Sequence, residues 1–161
     1  MIEEYKIKVL FTAPTAFRAI KREDPQGEFV RKYDLSSLKA LYLAGERADP
    51  DTIHWAEEKL GIPVIDHWWQ TETGWTIAGN PVGLGALPVK YGSPAVPMPG
   101  YDIDVLDEAG KPLAAGELGA ICVKLPLPPC CLPTLWNNDE RFRDSYLSAF
   151  PGYYETADAG Y

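Results

Sequence analysis

Leu38–Asp66 reads LKALYLAGERADPDTIHWAEEKLGIPVID, and the order of its apolar, turn and helical signals decides the architecture. Leu38–Ala44 is mostly apolar on both faces and stops at Gly45, as a buried parallel strand does. Asp49 and Pro50 follow as a capping side chain and a first-turn proline, a pair that satisfies one free amide and removes another. The helix they open runs to Leu60, and Gly61 supplies the left-handed residue that closes it. Pro63–Asp66 is the next strand. Working outward, Lys8–Thr12 is a short apolar run ended by Pro14, after which Ala16, Phe17, Ala19 and Ile20 recur at helical spacing. The resulting β-α-β-α-β order predicts an α/β fold, a parallel sheet with covering helices, in which ligands sit at the carboxyl ends of the strands. Gly45–Glu46 and Asp66–Glu72 both fall at such ends.

Glycines and prolines crowd residues 79–100, where helical periodicity disappears, so the chain is expected to divide into an α/β part, residues 1–78, and a loop-rich β part, residues 79–161. In the second part Tyr101–Leu106 alternates polar and apolar residues, Asp107–Gly110 makes a turn, and Leu118–Lys124 returns as a second strand. An antiparallel hairpin or part of a small antiparallel β-barrel is predicted there. Leu125–Pro129 is extended by its prolines, and Asp139–Ala149 reads as a helix with Phe142, Tyr146 and Leu147 on one side.

Charge and cysteine content narrow the function. The 161 residues carry 23 acidic and 15 basic side chains, a net charge of -8, with no basic cluster to track phosphates, which argues against nucleic acid as a partner. The three cysteines include the adjacent pair Cys130–Cys131 and fit neither a disulfide framework nor a CxxC zinc spacing. No apolar run reaches the length of a membrane span, and the first residues carry no targeting pattern. A cytoplasmic setting is expected, with the mitochondrial matrix as the eukaryotic counterpart.

The chemistry-bearing stretch is Asp66–Trp75, DHWWQTETGW. Gln70-Thr71-Glu72-Thr73-Gly74 after a strand offers hydroxyls for phosphate oxygens, a carboxylate for a divalent cation, and a glycine that lets backbone approach closely. A plain strand-end turn capped by a threonine accounts for the same residues. Taken alone, Trp68 and Trp69 read as core aromatics more often than as a ligand wall. His54 lies on a predicted surface helix.

Taken in order, LAGER at Leu43–Arg47, WWQTETG at Trp68–Gly74 and YYETADAGY at Tyr153–Tyr161 resemble the acyl-CoA synthetase branch of the adenylate-forming, AMP-binding enzymes. Phe11–Ala16, Gly116–Gly119, Val123–Pro129 and Phe150–Tyr154 add to the agreement, which spans nearly the whole chain and is similar above all to the propionyl-CoA synthetase type, a relative of acetyl-CoA synthetase. The resemblance implies that Gly45, Glu46 and Arg47 lie along adenine and ribose. The acetyl branch usually has proline in place of Arg47. It further implies that Asp66, His67, Trp68, Trp69, Gln70 and Thr71 form the other side of the nucleotide pocket, and that Thr71 and Glu72 serve catalysis, Thr71 near the α-phosphate and Glu72 as a magnesium ligand. Asp158 would accept from the ribose hydroxyls. Trp69 would wall an acyl pocket, and Ala44, where acetate enzymes have valine, would leave room for one more carbon.

The implied reaction uses ATP, magnesium and coenzyme A: propionate attacks the α-phosphate to give propionyl-AMP and pyrophosphate, and the thiol of coenzyme A displaces AMP. Such chemistry rests on positioning and charge neutralisation and needs no side-chain nucleophile. The family's phosphate-cradling loop and its C-terminal lysine-bearing domain are not among these residues. The chain therefore resembles an internal fragment, expected to be inactive in isolation. An acetate-preferring ligase fragment and a catalytically silent adenine-nucleotide-binding module are the alternatives.

Overall fold

A computed structural model describes all 161 residues, which form two compact units: residues 1–69 with 76–96, and residues 70–75 with 97–161. The first unit opens with a short helix, α1 (Ile2–Tyr5), and is built on β1 (Val9–Thr12), α2 (Pro14–Glu23), β2 (Ala40–Leu43), α3 (Pro50–Leu60) and β3 (Val64–Asp66). The three strands are parallel in the order β1-β2-β3, with Phe11 beside Tyr42 and Tyr42 beside Ile65. Two successive crossovers of the same hand place both helices on one face of such a sheet. Phe17 of α2 and Ile53, Trp55 and Ala56 of α3 accordingly bury Leu41, Leu43 and Val64 in one core.

The opposite face is only partly covered within this chain, and Val9 and Phe11 are exposed. Leu38–Ala44 therefore does not behave as a strand buried on both sides: in β2, Leu41 and Leu43 are fully buried while Ala40 and Tyr42 are half-buried. On α2 only Pro14 and Phe17 are buried, and Ile20 of its expected apolar face is exposed.

Local chemistry sets α3 as the sequence predicts. The Asp49 carboxylate accepts the Thr52 amide at 2.8 Å, Pro50 occupies the first turn, and Gly61 ends the helix at φ 64° with its amide 2.8 Å from the Glu57 carbonyl. Helix α2 is capped from a distance. Ala13 has no capping side chain, and the Thr15 amide instead donates to Glu46 Oε1 at 2.9 Å. After α2 the buried Asp24 carboxylate gathers the amides of Glu28, Phe29 and Val30 at 2.7, 2.8 and 3.2 Å. Burial pushes its pKa up, and those amides with the charge of Arg31 more than offset that, so the group stays ionised.

The short strands β4 (Ala78–Gly79) and β5 (Val96–Pro97) bracket the glycine-rich segment. The second unit holds β6 (Ile103–Leu106), β7 (Gly119–Lys124), α4 (Asp139–Tyr146) and β8 (Tyr153–Gly160). These strands make an antiparallel sheet in the order β6-β7-β8. The Asp107 turn joining β6 to its return is tied by that carboxylate, which accepts the amides of Ala109 and Lys111 at 2.8 and 2.9 Å. The hairpin is thus as expected, and β8 extends it to three strands. Helix α4 ends at Tyr146 rather than Ala149, and none of its residues is buried.

Candidate functional site

In the first unit, the segments after β2 and β3 converge at the carboxyl edge of the sheet. Ala44 is buried and donates its amide to the Thr12 carbonyl at 3.2 Å; Gly45 follows at φ 98°, a left-handed conformation that lets the chain leave the strand. Glu46 turns back onto α2, where its carboxylate accepts the Thr15 amide and hydroxyl and pairs with Arg18 at 2.5 Å. Arg18 also reaches Asp49 at 3.2 Å. The Thr15 and Arg18 donors lower the Glu46 pKa, so the carboxylate fixes the loop as an anion at the amino end of a helix. Its neighbour Arg47 is exposed, with its guanidinium over Gly92, where an added Cβ would stand 3.3 Å from it.

Asp66 ends β3 half-buried, and burial raises its pKa to about 6 against the amides of His67 and Ala48 and the charge of Arg47. His67 donates from Nδ1 to the Leu43 carbonyl at 2.8 Å; because a carbonyl only accepts, the proton sits on Nδ1. Burial lowers its pKa, keeping the ring neutral. Edge contacts with Phe11 at 5.3 Å and Tyr42 at 5.4 Å hold that ring, and Phe11 meets Trp69 at 6.4 Å. The sheet face away from the helices therefore carries an aromatic row. Trp68 is half-buried and pairs with Ala78, its amide 2.8 Å from the Ala78 carbonyl, whereas Trp69 is exposed.

The second unit contains the remaining residues. Thr71–Thr73 form a single 3-10 turn in which the fully buried Thr73 hydroxyl accepts the Gln70 amide at 3.1 Å and faces the Gln70 and Trp75 carbonyls at 2.9 Å. Thr71 is exposed at the start of that turn. Glu72 is half-buried; its carbonyl accepts the Leu132 amide at 2.6 Å and its Oε1 accepts the Tyr146 hydroxyl at 3.1 Å. The Tyr146 ring stacks on Tyr154 at 5.4 Å, and the Tyr154 hydroxyl donates to Gln70 Oε1 at 3.1 Å.

The Gln70 side-chain amide nitrogen then donates to the Thr156 carbonyl at 2.6 Å and to Asp158 Oδ2 at 2.8 Å. Asp158 is presented by a bulge: Ala120 pairs with Ala159 and Cys122 with Glu155, so residues 156–158 of β8 stand opposite Ile121 alone. Ala157 adopts φ 58°, and the Thr156 hydroxyl replaces the missing ladder bond by donating to the Ile121 carbonyl at 2.6 Å. Bulges re-aim side chains in this way. The bulge, Gln70 as its anchor, and the Tyr146–Tyr154 support of Glu72 are features the sequence reading missed; the short spacing of polar residues in YYETADAG was the available signal.

Residues 1–128 match the AMP-binding enzyme family, and the chain belongs to it. Among relatives, it is 52% identical over 161 residues to an uncharacterized protein, PA3568, of Pseudomonas aeruginosa, covering 100% of this chain and 26% of that protein. It is 46% identical over 162 residues to the mitochondrial acyl-CoA synthetase short-chain family member 3 of Homo sapiens, covering 100% of this chain and 24% of that protein. Identity is also 46% over 162 residues to the propionate–CoA ligase of Escherichia coli K12, covering 99% of this chain and 26% of that one. The chain thus spans about a quarter of the length of the curated relatives it matches. In three dimensions it resembles the anthranilate CoA ligase AuaEII, crystallised in complex with anthranoyl-AMP, at a TM-score of 0.79 and 25% identity over 98% of this chain and 28% of that one. The parallel sheet with helices followed by an antiparallel sheet is the adenylate-forming domain architecture. No helix is long and apolar enough to cross a membrane.

Proposed function

We propose that this chain is the central part of a short-chain acyl-CoA synthetase that activates propionate with ATP and passes the acyl group to coenzyme A. The observation that carries the proposal is the Gln70–Asp158 hydrogen bond at 2.8 Å, which fixes the exposed Asp158 carboxylate beside the Thr71–Glu72 turn within one unit. An ionised carboxylate is an acceptor with two oxygens, the type of group suited to the two vicinal hydroxyl donors of a ribose. In the same turn, Thr71 offers an exposed hydroxyl to a phosphate.

Glu72 fits a magnesium ion by its donor type: one carboxylate, oriented by Tyr146, suits a cation that is completed by substrate phosphates rather than by a protein cage. A cation held by Glu72 would supply neutralisation of phosphate charge during attack on the α-phosphate. Gly45, Glu46 and Arg47 take the adenine side by their backbone and by Arg47, since the Glu46 carboxylate is already held by Thr15 and Arg18. Asp66, His67, Trp68 and Trp69, following β3 in the same first unit, are assigned to that adenine side and to the acyl pocket. In this reading Ala44, small, and Trp69, large, set acyl length, which favours propionate over acetate by the value of one methylene, ~1–3 kcal/mol.

The isolated chain is proposed to bind adenylates without completing the ligase reaction, because the remaining charge stabilisation of the reaction has to come from residues outside it. Replacing the matching segment of the Escherichia coli propionate–CoA ligase with this chain tests the assignment. Propionate-dependent pyrophosphate release by the chimera, exceeding the acetate-dependent rate, supports it; a correctly folded chimera that binds ATP but prefers acetate contradicts the substrate.

A further inference from the structure

The adjacent thiols Cys130 and Cys131, which play no part in the proposed adenylation, share one buried hydroxyl in the second unit. The Tyr101 hydroxyl lies 3.8 Å from Cys130 Sγ and 3.5 Å from Cys131 Sγ, and the two thiols also interact with each other. Their exposure differs sharply: Cys130 is exposed and Cys131 is buried. Burial pushes the Cys131 thiol up, and the third cysteine, Cys122, is buried in β7 with its pKa raised to about 11. Only Cys130 is therefore open to a reagent from solvent, with a second thiol as its next neighbour.

We propose that Cys130 and Cys131 form a peroxide-oxidisable pair that closes to a reversible vicinal disulfide. Hydrogen peroxide oxidises the Cys130 thiol to a sulfenic acid and is reduced to water; the Cys131 sulfur then attacks the Cys130 sulfur, expelling hydroxide, which leaves as a second water with the Cys131 proton. Two thiols and one peroxide thus give one disulfide and two waters. Consecutive Cα atoms stand about 3.8 Å apart, closer than the common disulfide span of about 4.4–6.8 Å, so the ring is strained and readily reduced by thiols.

The pair touches the Thr71–Thr73 turn. The Cys130 carbonyl packs over Gly74 so tightly that an added Cβ there would come within 2.5 Å of it, and the next residue but one, Leu132, donates its amide to the Glu72 carbonyl at 2.6 Å. Tyr101 adds a third link by donating its hydroxyl to the Thr73 carbonyl at 3.1 Å. Ring closure strains the 130–131 peptide, which these contacts tie to the turn that carries Glu72.

Titrating the 161-residue chain with hydrogen peroxide in the presence of dimedone, followed by mass spectrometry of the tryptic peptide 125–141, tests this, because that peptide holds Cys130 and Cys131 and excludes Cys122. The expected result is loss of two hydrogen atoms from the peptide, restored by dithiothreitol. Cys131→Ser should instead give a dimedone adduct on Cys130, and Cys130→Ser should give no oxidation product at low peroxide. A stable dimedone adduct on Cys130 in the unsubstituted chain, disulfides between two chains, or oxidation of Cys131 as fast as Cys130 would each overturn the proposal. The same experiment in urea should erase the difference in reactivity between the two thiols; if it persists there unchanged, the fold does not create the site.

Discussion

Gln70 and Asp158, 88 residues apart, meet through a 2.8 Å hydrogen bond, and the same Gln70 nitrogen holds the Thr156 carbonyl at the root of the β8 bulge. One side chain therefore sets both where the acidic group stands and the backbone shape that presents it.

Replacing that amide should uncouple the two. In Gln70→Ala the bulge loses its anchor, and with a charge-assisted hydrogen bond worth about 1.5–3 kcal/mol removed, adenylate affinity should fall by roughly tenfold or more. Gln70→Glu should be worse, since it sets a second carboxylate against Asp158 and a carbonyl. Titration of both variants with propionyl-AMP checks the order; equal affinities for all three proteins would show that Asp158 needs no anchor.

Gly74 should tolerate no side chain. Its φ of 61° already disfavours L residues, and an added Cβ would meet the Cys130 carbonyl oxygen at 2.5 Å. Gly74→Ala is expected to lower the stability of the second unit by about 1–3 kcal/mol, read as a drop in unfolding temperature. By contrast, Gly45→Ala meets no atom within 4 Å and should incur only the conformational cost.

Asp66 gives the stability an unusual pH dependence. The native carboxyl keeps its proton up to about pH 6, whereas the reference value is 3.8, so the folded state holds more protons across that window. Stability contributed by this group is present at low pH and declines as pH rises from about 4 to 6, by on the order of 1 kcal/mol once solvent screening of a half-buried group is allowed for. Asp24, Glu46 and Asp49 have lowered pKa values and oppose this trend, each losing stabilisation as pH falls through its native pKa. Denaturant melts of Asp66→Asn against the parent should isolate the Asp66 part: the variant should be the more stable at pH 7, with the advantage gone near pH 4.

Ala44 is buried directly before the Gly45 turn, so added methyl groups there must take space from a neighbour or a substrate. In the chimeric ligase, Ala44→Val should shift the ratio of kcat/KM for propionate over acetate toward acetate by about tenfold. An unchanged ratio would remove Ala44 from the acyl pocket.

How far the sequence could be read depended on whether the signal was local. Asp49, Pro50 and Gly61 act on their own helix, and α3 appears with the predicted ends. The cap of α2 was not visible because it comes from Glu46, 31 residues beyond Thr15. Strand β8 was missed for a related reason. YYETADAG has a weak strand composition, its ladder bonds come from β7, and the bulge at residues 156–158 breaks the alternation by which a strand is recognised. The site residues are proposed through ordered motifs, but the grouping of Gln70–Trp75 with the second unit follows from Gln70, Glu72 and Thr73 bonding to Asp158, Tyr146 and Tyr101, contacts that no spacing rule reveals.

Calorimetric titration of the 161-residue chain and of Asp158→Ala with propionyl-AMP, with thermal unfolding measured on both, tests the central claim most directly. The account predicts saturable binding by the parent and its loss in the variant, which still unfolds cooperatively, its unfolding temperature lowered by no more than the lost Gln70–Asp158 hydrogen bond accounts for. Equal binding by two equally stable proteins would contradict the assignment of Asp158, and with it the adenylate reading of the site.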